Sequence, residues 1–126
     1  MEKIVFGEVL DFLKTNRVFF LATLDGDQPR VRPFGIMIDL NGKLSFCTSR
    51  EKDVFKQMDA HKKVEICSVS SDGAVLRLTG NVSFSNSREG QTKMFETRPE
   101  LAKLYAGKED KFVICTFENA SATYQK

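Results

Sequence analysis

Two periodicities divide the chain. Across residues 2–15, Ile4, Val5, Val9, Phe12 and Leu13 recur at helical spacing, which predicts an amphipathic helix. Residues 17–24 (RVFFLATL) form a β-branched and aromatic run closed by Asp25-Gly26-Asp27, and Asp-Gly between two apolar runs is a strong hairpin signal. The next run, QPRVRPFGIMI, alternates as a strand to about Leu40, and Asn41-Gly42 turns it into KLSFCT at residues 43–48. Three strands joined by two short turns predict an antiparallel meander.

The second half reads similarly. Residues 51–60 are helical, with Val54, Phe55 and Met58 on one face. Residues 63–70 alternate as a strand, and Ser71-Asp72-Gly73 turns the chain into a long strand over 74–85. Residues 86–105 hold two short helices broken at Arg98-Pro99, because the residue before a proline resists the helical region. Strands at 111–118 and 120–124 complete the chain. The sum is a mainly β, α+β single domain over residues 1–126, with six or seven strands and a few outer helices. An antiparallel barrel closes such a set without exposed edges. No repeat, linker or low-complexity segment interrupts it.

Composition narrows the chemistry. With 126 residues and 41% hydrophobic content the chain can build one core. Its net charge of +2 comes from interleaved acids and bases, not from the basic stripe of a nucleic-acid binder. Cys47, Cys67 and Cys115 are odd in number and lie in apolar runs, which reads as reduced thiols in a cytoplasmic protein. There is no CxxC and a single histidine, His61, so no metal site is expected. Acidic residues run through the N-terminal apolar stretch, so neither a signal peptide nor a membrane span is expected there. The expected partners include neither nucleic acid nor membrane.

Chemistry concentrates in two stretches. In FCTSREKDVFKQM (residues 46–58), Thr48 and Glu51 match the T-x-x-E capping box, a purely structural device. The same helix start also offers free N–H groups beside two hydroxyls, Arg50 and Lys52, a set suited to a phosphate. Across the Asn41-Gly42 turn, Arg30 and Arg32 are expected towards the same end of the hairpin as Thr48, where they can add to an anion site. A solvated edge strand blunted by charges and Pro33 is the competing reading. Arg30 and Arg32 share parity with Phe34, Ile36 and Ile38, so one face passes from cationic to apolar. Arg77, inside VLRLTG, is either a pocket residue or an exposed one, and His61 reads as a surface residue. The carboxylates are scattered, without a pair placed for acid–base work, so no catalytic side chain is assigned.

FFLATLDGDQPRVRPFG (residues 19–35) and KLSFCTSREKDVFKQM (residues 43–58), followed by VEICSV and LRLTGNV, resemble the pyridoxamine 5′-phosphate oxidase-like family of FMN-binding split barrels. RVRPFG and FCTS look most like a small bacterial subgroup related to nitroimidazole-resistance flavoproteins. The likeness spans nearly the whole chain. It implies an antiparallel split β-barrel, homodimeric, with FMN in clefts between the subunits. The segment matching Arg30, Val31, Arg32, Pro33 and Phe34 is then expected along the flavin, its main chain at the isoalloxazine edge. The segment matching Cys47, Thr48, Ser49 and Lys52 is expected at the phosphate and ribityl, with Arg30 assisting, and later strands near Arg77 are expected to serve the partner's cofactor.

The activity implied is that of an oxidoreductase passing electrons from NAD(P)H through FMN to a small acceptor. A non-catalytic module that binds or senses flavin, haem or deazaflavin is the alternative on the same barrel. Three departures qualify the likeness. The segment that binds the pyridoxal substrate in true oxidases has no counterpart, so pyridoxamine phosphate oxidation is not expected. Glu51 stands where the oxidases carry a second basic residue, and His61 is not placed like the histidine of the nitroimidazole-reducing group.

Overall fold

The computed structural model describes the backbone of Glu2–Lys3 and all of residues 5–126; Ile4, counted above on the helix's apolar face, lies outside the described residues. Strand β1 (Glu2–Lys3) pairs with the far end of the last strand, opposite Tyr124 and Thr123. Helix α1 therefore starts later than its spacing suggested, at Phe6–Asn16, and Val5 is its exposed N-cap. The helix buries Val9, Leu10 and Leu13.

The remaining strands are β2 (Phe19–Asp25), β3 (Gln28–Phe34), β4 (Ile38–Leu40), β5 (Lys43–Ser49), β6 (Lys63–Val69), β7 (Val75–Ser85) and β8 (Phe112–Gln125). They form one antiparallel sheet in the order β3-β2-β6-β7-β8-β5-β4. The predicted mainly β barrel with peripheral helices is present. The two final strands are one, bent where Asn119 takes a positive φ of 52°. Its long pairing with β7 shifts register between Thr79 and Asn81, at Gly80. A Cβ on Gly80 would lie 3.1 Å from the Glu118 carbonyl oxygen, so glycine permits the close crossing.

The predicted meander is broken. The run 28–40 is two strands, because Pro33 cannot donate to a ladder and Gly35 brings no side chain to either face. After Phe34 the chain turns to bury Ile36 and Ile38. Consequently β3 pairs with β2 at one end of the sheet, and β4 pairs with β5 at the other. The Asn41-Gly42 hairpin is correspondingly short, matching Ile38 with Ser45 and Leu40 with Lys43.

Two cores fill the molecule. The larger lies inside the barrel around Phe19, Leu21, Phe46, Ile66, Leu76 and Leu78. The smaller joins Ile36, Ile38, Leu40, Cys47, Phe112 and Ile114 to Met94 and Tyr105 from the helical segment. Helices α3 (Arg88–Thr97) and α4 (Glu100–Leu104) break at Arg98-Pro99 as predicted. Where β3 and β5 come together without pairing, aromatic rings bridge them. Phe34 stacks on Phe19 at 5.9 Å and meets Phe46 edge-on at 5.3 Å. Helix α2 (Asp53–Ala60) packs on β2 and β5, across this split.

Candidate functional site

The helix start after β5 does not carry the capping box that its sequence suggested. Helix α2 begins at Asp53 with Lys52 as N-cap, and no side chain caps it. Thr48 is held in the ladder opposite Val113, and its hydroxyl caps no helix N–H. A tight turn follows: the Lys52 N–H donates to the Ser49 carbonyl at 3.1 Å, and the Glu51 N–H donates to Ser49 Oγ at 3.2 Å. The N–H groups of Asp53 and Val54, in the first turn, have no intrahelical partner.

Thr48 stands out among the buried polar residues. Thr23, Ser45, Ser49 and Ser68 all have hydrogen-bond partners. Thr48 Oγ1 is buried with none among the described residues. An unpaired buried hydroxyl is costly, and in native proteins it calls for a further partner such as water, an ion or a ligand. Thr48 shares the barrel face with Leu44 and Phe46, at the end of the strand that leads into α2.

On the opposite face of β5, Cys47 and Ser49 meet the helical segment. Burial pushes the Cys47 thiol up to about 12, while the cations of Arg98 and Lys52 pull it the other way. Burial prevails over both cations, and the thiol stays protonated. Tyr105 is buried beside it; burial raises its hydroxyl pKa, Cys47 adds to the rise and Ser49 works against it. Arg98 also donates through Nη2 to the Gly35 carbonyl, at the corner between β3 and β4. Arg98 and Tyr105 were not singled out from the sequence. The proline after Arg98 marked a helix break and said nothing of where the guanidinium goes.

Arg30 and Arg32 do not reach Thr48 through the hairpin, since their strand pairs with β2, opposite Thr23 and Leu21. Arg30 is exposed and pairs with Asp25 at 3.2 Å. Arg32 is half-buried: Nη1 donates to Thr23 Oγ1 at 2.7 Å and to the Leu21 carbonyl at 3.2 Å, and Nη2 donates to Gln57 Oε1 at 2.7 Å. Burial, with Arg30 alongside, lowers its pKa. Gln57 is a further residue without a sequence signal. It connects β3 to α2.

The outer face of β2 and β3 is apolar and open. Phe20 lies opposite Pro33, Ala22 opposite Val31 and Leu24 opposite Pro29. Phe20, Leu24 and Val31 are 48%, 39% and 64% exposed, so they form a patch and not isolated residues. Phe20 also neighbours Cys67, which faces Arg77 on β7. Arg77 is thus on the exposed outer face, away from the α2 start. An open groove of about 530 Å³ runs along this side, lined by Ala22, Leu24, Pro29, Glu65, Thr79 and Asn81. That volume is in the range of small-molecule sites.

A sheet whose consecutive strands β3 and β4 lie at opposite ends, bridged by a helix over the gap, defines a split-barrel protein. The family model described as pyridoxamine 5′-phosphate oxidase matches residues 6–118, and the chain belongs to that family. A NimC/NimA family protein from Clostridium acetobutylicum is 38% identical, with a TM-score of 0.90 over 95% of this chain and 86% of that one. This agrees with the small bacterial subgroup that RVRPFG and FCTS resemble. An FAD-binding protein from Mesorhizobium loti is 14% identical, with a TM-score of 0.65 over 99% and 98% of the two chains. General stress protein 26 from Bacillus anthracis is 14% identical, with a TM-score of 0.70 over 93% and 91%. The last two likenesses establish fold alone. No curated protein matches the chain. Among the described residues, no helix is long and apolar enough to cross a membrane, and no cluster of His, Cys, Asp and Glu could hold a metal.

Proposed function

We propose that the protein binds FMN as a homodimer and acts as an oxidoreductase, passing electrons from NAD(P)H to a small acceptor. The observation that carries this reading is the Thr48 hydroxyl, buried and unpartnered just before a helix start whose N-cap is Lys52. A phosphate monoester fits that donor set: a hydroxyl, an ammonium and the open N–H groups of the first helical turn. That a protein of the same fold is FAD-binding agrees with a flavin as the group carrying the phosphate.

Thr48, Ser49 and Lys52 would hold the phosphate and ribityl chain, with Arg30 assisting. Cys47 backs this cradle as a neutral thiol. Val31, Pro33 and Phe34 would lie along the ring system. Strand β3 ends the sheet, so its side away from β2 is open. Pro29 and Pro33 cannot donate there, which makes the Val31 N–H the donor of that edge. The Arg32 guanidinium is engaged by Thr23 and Gln57, so this residue would contribute its main chain. Bound FMN supplies hydride acceptance from NAD(P)H and onward electron delivery. The chain's own task is to bind and orient.

The apolar patch of Phe20, Leu24, Val31 and the facing prolines is the proposed dimer surface, with Arg77 beside it for the partner's cofactor. Three free cysteines suit a reducing compartment, the cytoplasm. The visible spectrum of the purified protein tests the reading. A yellow protein, or one that takes up added FMN, supports it, and a colourless protein that refuses FMN overturns it. Anaerobic NADH or NADPH should then bleach the flavin. A yellow protein that neither reductant bleaches is a binding module.

A further inference from the structure

The Arg32, Thr23 and Gln57 side chains form a closed ring of hydrogen bonds. Arg32 Nη1 donates to Thr23 Oγ1 at 2.7 Å, the Thr23 hydroxyl donates to Gln57 Oε1 at 2.6 Å, and Arg32 Nη2 donates to the same Oε1 at 2.7 Å. The guanidinium donates two bonds, the hydroxyl accepts one and donates one, and the amide oxygen accepts two. The donors on both sides also fix which way the Gln57 amide points. Thr23 is 3% exposed, so the ring is sheltered from competing water at its Thr23 end.

The position of this ring matters more than its strength. Strand β3 is laddered only to β2, and the Arg32–Gln57 bond is the hydrogen bond joining β3 to α2 among the described residues. The flavin reading places the ring system on β3 and the phosphate at the start of α2. A single ligand that spans both is sensitive to the distance between them, because two linked contacts reinforce each other only when the spacing matches.

Resting on that reading, we infer that Gln57 is a positioning residue for the cofactor. Through Arg32 and Thr23 it sets the spacing between the strand that receives the ring and the helix start that receives the phosphate. It touches neither.

Affinities for FMN and for riboflavin, measured on Gln57→Leu, Gln57→Glu and the unaltered protein, test this. Gln57→Leu removes the shared acceptor. It should lower FMN affinity by about tenfold or more, and riboflavin affinity by less than about threefold, because riboflavin lacks the phosphate that anchors FMN at the helix start. Gln57→Glu still accepts from both Arg32 and Thr23, and should hold FMN within about threefold of the unaltered protein. Should Gln57→Leu fail to fold, Gln57→Asn keeps the amide but falls a methylene short, and carries the same expectation. An FMN affinity unmoved by the loss of the acceptor overturns the inference, and so does an equal loss for FMN and riboflavin, which would mark a merely structural role. If the unaltered protein binds no FMN, the flavin reading itself fails and takes this inference with it.

Discussion

Arg98 Nη2 donates to the carbonyl oxygen of Gly35, 63 residues earlier in the chain, at 2.5 Å. This bond ties the break between α3 and α4 to the corner where β3 ends and β4 begins. The charge of the same arginine also acts on the Cys47 thiol, next to Thr48 on β5.

Arg98→Ala should therefore destabilise the protein. A hydrogen bond to a charged group is worth about 1.5–3 kcal/mol, and the half-buried side chain keeps much of that value. Urea unfolding should show a loss of about 2 kcal/mol, with an unchanged slope. Arg98→Lys restores the charge without the fork geometry, and should recover only part of the loss.

Thr48→Val keeps the shape and deletes the orphaned hydroxyl. A buried polar group without a partner costs about 1–3 kcal/mol, so the ligand-free variant should be more stable by about 1 kcal/mol. Its affinity for FMN should fall by about tenfold, the equivalent of one lost bond to a charged phosphate. Stability and affinity moving in opposite directions is the mark of a residue kept for a ligand; urea titration of the free protein and fluorescence titration with FMN measure the two.

Phe20→Asp places a charge in the middle of the outer apolar patch, opposite Pro33 and Cys67. The side chain points away from the core, so the fold should persist by circular dichroism. Sedimentation should show a dimer for the unaltered protein and a monomer for this variant, because an unpaired charge is costly in an apolar interface. A variant that remains dimeric would move the interface elsewhere.

Alkaline pH should expose the buried thiols. Burial raises Cys47 from 9.0 to about 12, and it raises Cys115 as well. The folded state holds these protons more tightly than the unfolded chain does. Their contribution to stability is therefore complete below about pH 9, and is lost as pH rises towards 12. Urea midpoints measured from neutral to strongly alkaline pH should fall in that window, and Cys47→Ala should lessen the fall. At neutral pH a thiol reagent should reach Cys47 and Cys115 only on unfolding.

The strand alternation of FFLATL, KVEICSV and VLRLTG was legible because each of these strands has one face in the barrel core. The helix break at Arg98-Pro99 was legible from proline alone. What local pattern could not convey was pairing between distant segments. The run 28–40 alternates without interruption, yet Pro33 and Gly35 let the chain switch between opposite ends of the sheet. That switch removed the hairpin pairing by which Arg30 and Arg32 were expected beside Thr48. The capping signal at Thr48 and Glu51 was real as a local pattern, and lost to the pairing of Thr48 with β8. Gln57 and Arg98 carry no motif, because their partners, Arg32 and Gly35, are set by the tertiary fold.

FMN and riboflavin differ only in the phosphate, so their affinities for the unaltered protein weigh the proposed phosphate site and the flavin together. Fluorescence titration of the flavin-free protein should show saturable binding of both, with FMN tighter by at least about tenfold, as befits several charge-assisted bonds. Equal affinities would contradict a phosphate site at Thr48 and Lys52. No binding of either would contradict a flavin protein altogether.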